Sequence, residues 1–201
     1  MSEVIYYLRD INAPLVEAWS RAFSGIPEVQ PSRGDIFGVE ADAILSPANS
    51  FGFMDGGIDL LYTARFGWQL QERLQQRLQA EWDGELPVGM AVLLETGDPL
   101  LPYLISAPTM RIPQDVSDTL NAYLAFRAAL RIVQRHNAQF PGTIKSVLCP
   151  GLGTATGRMP VAICAKQMHA AYRQIVGGKP WKPTSVNEII NEHYRLLRQE
   201  D

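Results

Sequence analysis

The period of the apolar positions changes along the chain, and each change predicts an element. Residues 4–8 (VIYYL) form a β-branched and aromatic run of strand type. Asn12 and Pro14 then offer a helix start, and the spacing carries a helix to about residue 23. Residues 25–34 hold two prolines and two glycines and read as a loop with a weak strand. Residues 41–46 (ADAILS) are almost continuously apolar, as in a strand covered on both faces of a parallel sheet. A long helical pattern follows from about 58 to 82. In its second half Leu70, Leu74, Leu78 and Trp82 form an apolar stripe, with Gln, Glu and Arg on the other side. Residues 90–94 and 103–107 are strand candidates separated by the turn signal TGDP. Asp115 or Ser117 can cap a helix reaching about 137, with Leu120, Leu124, Ala128 and Ile132 on one face. Residues 146–149 read as another buried strand, followed by the loop PGLGTATGRMP and a helix over 160–176.

This alternation predicts an α/β fold, a three-layer α/β/α sandwich on a mixed central sheet, spanning residues 1–176 as one domain. From Gly177 the chain changes character. GGKPWKPTS over 177–185 is a hinge, and Val186, Ile189, Ile190, His193, Tyr194 and Leu197 then make an apolar stripe. Two readings of that stripe stay open: a helix docked back onto the domain, or one that contacts a second copy or a partner.

Charge and composition narrow the function. There are 18 Lys and Arg against 21 Asp and Glu, a net charge of −3, in 201 residues with no basic stripe. That counts against nucleic acid as a partner, because phosphate-backbone affinity needs clustered cations. No apolar run approaches the roughly 18 residues of a membrane span, so no membrane role is expected. The N-terminus carries an acid at Glu3 and too short an apolar stretch for a signal peptide. Cys149 and Cys164, the only cysteines, allow neither a disulfide framework nor a four-cysteine zinc site. His136, His169 and His193 form no triad or metal spacing, so neither metal nor cofactor is expected. A cytoplasmic location follows as the expectation.

Two strand-to-helix loops carry the candidate chemistry: SPANSFGFMDGGID (46–59) and CPGLGTATGRMP (149–160). Glycine permits positive φ and close backbone approach, and a helix start offers unpaired N–H groups to an anion. Two such loops in one domain point to a dianionic ligand such as a pyrophosphate. Neither is a P-loop, since no Lys follows Gly157, and neither is a GxGxxG opening a first βαβ unit.

Gly34-Asp35-Ile36, Asp42-Ala43-Ile44-Leu45, Ala48-Asn49 and Gly56-Gly57-Ile58-Asp59, in that order and spacing, resemble the macrodomain family of ADP-ribose-binding modules. Gly153-Thr154-Ala155-Thr156-Gly157 fits the family's second phosphate loop, and the resemblance extends over about 31–176. It implies a pocket for ADP-ribose or an ADP-ribosylated macromolecule. Asp35 resembles the carboxylate that accepts from the adenine amino group, with Ile36 supplying a backbone N–H. Asn49 resembles the amide that holds the distal ribose. Gly56, Gly57 and Ile58 resemble the loop against the distal ribose and phosphate, and Gly153, Thr154, Ala155, Thr156 and Gly157 the loop around the pyrophosphate. Asp59 stands where hydrolytic members carry an acid that positions or activates water, so Asn49 and Asp59 are the candidate catalytic pair.

The chain departs from the family in three ways. Thr156 stands where hydrolytic members carry an aromatic. No strand follows the last sheet-packed helix, and residues 4–8 are expected to complete the sheet from the other end. No aromatic for the adenine is identified. Phe51, Phe53 and Met54 either close over the ligand or pack under their loop. Hydrolysis of an ADP-ribose ester or glycosidic bond, plain binding of ADP-ribose, and removal of a 1″-phosphate from it all fit one such pocket.

Overall fold

The β-branched and aromatic runs become the strands. In the computed structural model, which describes residues 4–198, these are β1 (Ile5–Asp10), β2 (Val29–Arg33), β3 (Ala43–Ser46), β4 (Val92–Glu95), β5 (Tyr103–Ser106) and β6 (Ser146–Cys149). They form one sheet in the order β2-β1-β6-β3-β5-β4. Every neighbouring pair is parallel except β4 with β5. The helices are α1 (Ala13–Ala22), α2 (Gly57–Phe66), α3 (Gln69–Trp82), α4 (Asn121–Gln139), α5 (Val161–Ile175) and α6 (Val186–Leu197).

Helices cover both faces, as a mostly parallel sheet requires. Leu15, Trp19, Phe126, Leu130, Ile163 and Met168 from α1, α4 and α5 form one core with Ala43 and Leu45. Tyr62, Leu70, Leu74 and Leu78 from α2 and α3 form the other with Ile44. β3 alternates between the cores, and its period of two carries Ser46 to the side of Ile44. The expected three-layer sandwich on a mixed sheet is therefore present.

The N-terminal run does complete the sheet. β1 is inserted between β2 and β6 and is deeply embedded, with Tyr6 and Leu8 buried. This brings its C-terminal residue, Asp10, beside the loop that follows β6. Several element boundaries differ from the pattern: β3 and β4 each begin two residues later than expected, at Ala43 and Val92. The long helix expected over 58–82 is two helices, because Gly67 adopts φ 86° and ends α2. Helix α4 begins at Asn121, while Asp115 Oδ1 accepts from Ser117 N within the preceding loop.

Edge strand β4 is screened from α3, whose Arg73 and Arg77 donate to the carbonyls of Thr96 and Leu93. Only the Leu93 carbonyl lies within β4, so this occupies one of the edge groups that could pair with another strand. Helix α6 is held near its C-terminal end, where Leu196 is buried, the Leu196 carbonyl accepts from Gln167, and the Arg198 carbonyl accepts from Lys166. Val186, Ile189, Ile190 and Tyr194 of its stripe stay exposed. Among the described residues no helix is long and apolar enough to cross a membrane.

Candidate functional site

The parallel strands end at one edge of the sheet, and the loops leaving β3 and β6 face each other there across a cleft of about 240 Å³. Such strand ends are where open α/β sheets take ligands. Asn49, Gly56, Gly57, Ile58 and Asp59 line one side, and Gly153, Thr154, Ala155, Thr156 and Gly157 the other.

The first loop is ordered by Asn49. Its Oδ1 accepts from Phe51 N at 3.0 Å and Phe53 N at 3.3 Å, and its Nδ2 donates to the Phe53 carbonyl at 2.8 Å. The amide therefore organises the turn and retains one N–H for anything else. The three apolar residues of this loop divide. Met54 is buried under it, Phe51 lies beneath the Arg111 guanidinium, and Phe53 is exposed on the cleft wall.

Gly56 caps α2 without a side chain, so Gly57, Ile58 and Asp59 form an open first turn. Asp59 is only 6% exposed, yet it lines the cleft. Its Oδ1 accepts from Ser46 Oγ at 2.6 Å. Burial pushes its pKa up to about 7, against the opposing pull of that hydrogen bond. A carboxyl poised near neutral pH can both give and take a proton under physiological conditions.

The second loop is shaped by its own backbone. Met159 N donates to the Gly153 carbonyl, Arg158 N to that of Ala155, and Val116 N to that of Gly157. Gly153 adopts φ 70°, and a Cβ on Gly157 would lie 2.6 Å from the Gly153 carbonyl oxygen. Among the described residues the N–H groups of 153–157 have no hydrogen-bond partner. Together with the open turn of α2, they give the cleft two sets of free amides. Among the described residues no Lys, Arg or His lines it, whereas Asp10, Asp55 and Asp59 do. An anion here is held by main-chain dipoles, not by side-chain charge. Arg158 is exposed, 3.9 Å from Asp115, and is not part of the wall.

Asp35 and Ile36 are set apart. Asp35 lies just beyond β2, exposed, with Oδ1 accepting from Phe37 N at 2.8 Å and its carbonyl accepting from Arg9 Nε at 2.6 Å. Ile36 is buried in the core beside α2 and α3. Both continue the row of strand ends past Asp10, but neither lines the cleft.

Several lining residues escaped sequence reasoning. Asp10 accepts from Gly151 N at 3.1 Å and from Asn12 N at 2.9 Å, tying β1 to the second loop. An acid two residues past a strand-type run was its available signal. Thr109, Met110 and Pro113 form a third wall, fixed where Thr109 Oγ1 donates to the Pro47 carbonyl at 2.9 Å and Asn49 bridges Met110. Nothing local in APTMRIP marks that role. Cys149, next to the second loop, is fully buried, and burial pushes its thiol pKa well above the ordinary value, which disfavours the thiolate a nucleophile needs.

Residues 45–168 match the sequence profile of the Macro domain family. An uncharacterised protein of Aquifex aeolicus is 31% identical over 81% of this chain and 88% of its own. A macro domain-containing protein of Cupriavidus necator is 27% identical over 85% of this chain and 95% of its own. Among solved structures, the Oceanobacillus iheyensis macrodomain with ADP superposes with a TM-score of 0.60 at 19% identity, over 82% of this chain and 88% of that one. The Thermosipho africanus DarTG in complex with ADP-ribose gives 0.57 at 19%, covering 69% of this chain and 37% of that one. These two likenesses bear on the fold. With more than half of the chain inside the family profile and a relative 31% identical over 81% of it, this protein belongs to the Macro domain family.

Proposed function

We propose that the cleft binds ADP-ribose, or an ADP-ribosyl group on a macromolecule, and hydrolyses its ester or glycosidic linkage. The observation that carries this reading is the run of unpaired amides over 153–157, facing the open first turn of α2 across a cleft that no Lys, Arg or His lines among the described residues. Preorganised N–H groups of this kind suit a pyrophosphate, because nothing must reorient when the charge arrives. Asp59 then lies on the wall opposite the phosphate loop, on the side assigned to the distal ribose. For an ester, a water oxygen bonds to the anomeric carbon as the bond to the leaving oxygen breaks. The bonding pair departs with the carboxylate, and Asp59 takes the proton from the water. Asp35 and Ile36 are proposed to meet the adenine at the outer end of the row, with Asn49 offering its remaining N–H to the distal ribose.

Plain binding is the second reading, favoured by Thr156 in place of an aromatic and by the use of Asn49 within its own loop. The exposed stripe of α6 is retained as a surface for a second copy or partner. The two unbridged, buried cysteines suit a reducing, cytoplasmic setting.

Calorimetric titration decides binding: ADP-ribose should bind in the micromolar range and AMP far more weakly. No heat and no thermal stabilisation with ADP-ribose would remove the reading. Release of ADP-ribose from an ester-linked ADP-ribosylated protein decides catalysis. Asp59→Ala should lose turnover while keeping affinity within a few-fold; equal turnover leaves Asp59 as a residue of the helix start only.

A further inference from the structure

Asp59 owes its orientation to a residue on another element. Ser46 is the last residue of β3, a central strand held by β6 on one side and β5 on the other. It is fully buried, and its hydroxyl donates to Asp59 Oδ1 at 2.6 Å. That is the only side-chain hydrogen bond to the Asp59 carboxylate among the described residues. Helix α2 is tied to β3 by Tyr62 OH, which donates to the Leu45 carbonyl at 3.1 Å, but that contact leaves the Asp59 carboxylate itself unfixed. The Ser46 hydroxyl fixes it.

We infer that Ser46 is a positioning residue for the hydrolysis proposed above: it pins Oδ1 of Asp59 to the end of β3 and leaves Oδ2 to meet water in the cleft. The inference rests on that functional reading for its consequence, but the contact itself does not. Strand-end serines here are not satisfied by default. Ser106, the register partner of Ser46 on β5, is buried with Oγ unpartnered.

The hydrogen bond also opposes the effect of burial on the Asp59 proton. The charged and titratable groups around Asp59 are Asp10 from β1, Asp55 from the first loop, and Tyr62 from its own helix. None supplies positive charge, so the ionised carboxylate is favoured by the Ser46 hydroxyl together with the N-terminal end of α2. Without that hydroxyl, Asp59 should hold its proton to higher pH.

The test compares the full chain with Ser46→Ala and Ser46→Thr. For hydrolysis of an ester-linked ADP-ribosylated protein, Ser46→Ala should lower kcat at pH 7 about tenfold and move the acid limb of kcat up by about one pH unit. KM should stay within about twofold, and Ser46→Thr should restore most of kcat. An acid limb unmoved in Ser46→Ala overturns the inference. If the parent neither binds nor hydrolyses, the functional reading fails on its own. The contact is then judged by titrating the Asp59 carboxyl carbon by NMR in the ligand-free protein. An upward move in Ser46→Ala, reversed in Ser46→Thr, upholds the positioning role, and no move overturns it.

Discussion

At the scale of single residues, Asp59 sets stability against function. In the folded chain it keeps its proton up to about pH 7, while its ordinary value is 3.8. Between those values the folded state holds more proton than the unfolded one, so stability falls as pH rises through that window. Asp59→Asn keeps the shape and removes the titration. It should therefore be more stable than the parent at pH 8, by about 2–4 kcal/mol, with the gain fading toward pH 4. Urea melts at the two pH values check this, and a constant difference would show that burial of this carboxyl is not what costs stability. Asn49 illustrates a different compromise. Three hydrogen bonds within its own loop consume most of the amide, so a residue chosen for ligand contact also shapes the wall it stands on.

At the scale of elements, the second loop is a backbone device. Its glycines are needed where the chain turns and where it approaches itself. Gly153 adopts φ 70°, and a Cβ there would lie 3.1 Å from Val116 Cγ2. Gly153→Glu adds left-handed strain, crowding against Val116 and a negative charge beside the free amides. It should weaken ADP-ribose at least about tenfold, more than any loss of fold explains, with circular dichroism little changed. Unchanged affinity by calorimetry would take the pyrophosphate away from this loop. Helix α2 makes the complementary point. It starts at the cleft, and Gly67 ends it, so that α3 can bury Leu70, Leu74 and Leu78.

At the scale of the whole molecule, the sheet order gathers the site. β1 comes first in the chain, yet it sits between β2 and β6, so Asp10 reaches the loop of residues 149–160 across the sequence. Helix α6 contributes little to this. It is held chiefly at its C-terminal end, and four apolar side chains of its stripe remain exposed. Ending the chain at Val176 should therefore leave ADP-ribose affinity within about twofold and lower Tm by only a few degrees. It should also remove any self-association seen by sedimentation velocity in the full chain. A collapse of Tm by tens of degrees would instead make α6 part of the folding unit.

Most of the fold was legible because burial leaves periodic traces. The apolar run at 41–46, the four-residue stripe of α3 and the glycine-rich strand-to-helix turns are local patterns; the run became β3 over its last four residues, and the stripe became α3. The two glycine-rich loop sequences marked where backbone would come close to a ligand, but that the open amides of the second loop are those of 153–157, ahead of the start of α5, was settled only by the folded loop. Three further things were left to the tertiary structure. Gly67 acts as a break only because α3 gains more by turning onto the core than the chain loses at one glycine. Asp10, Thr109 and Pro113 join the cleft through strand order and a long loop, which no spacing along the chain encodes. The Ser46–Asp59 contact, and the proton affinity it helps to set, depends on a dry junction between a central strand and a helix start. Sequence supplies the two side chains; only packing removes the water between them and makes their hydrogen bond matter.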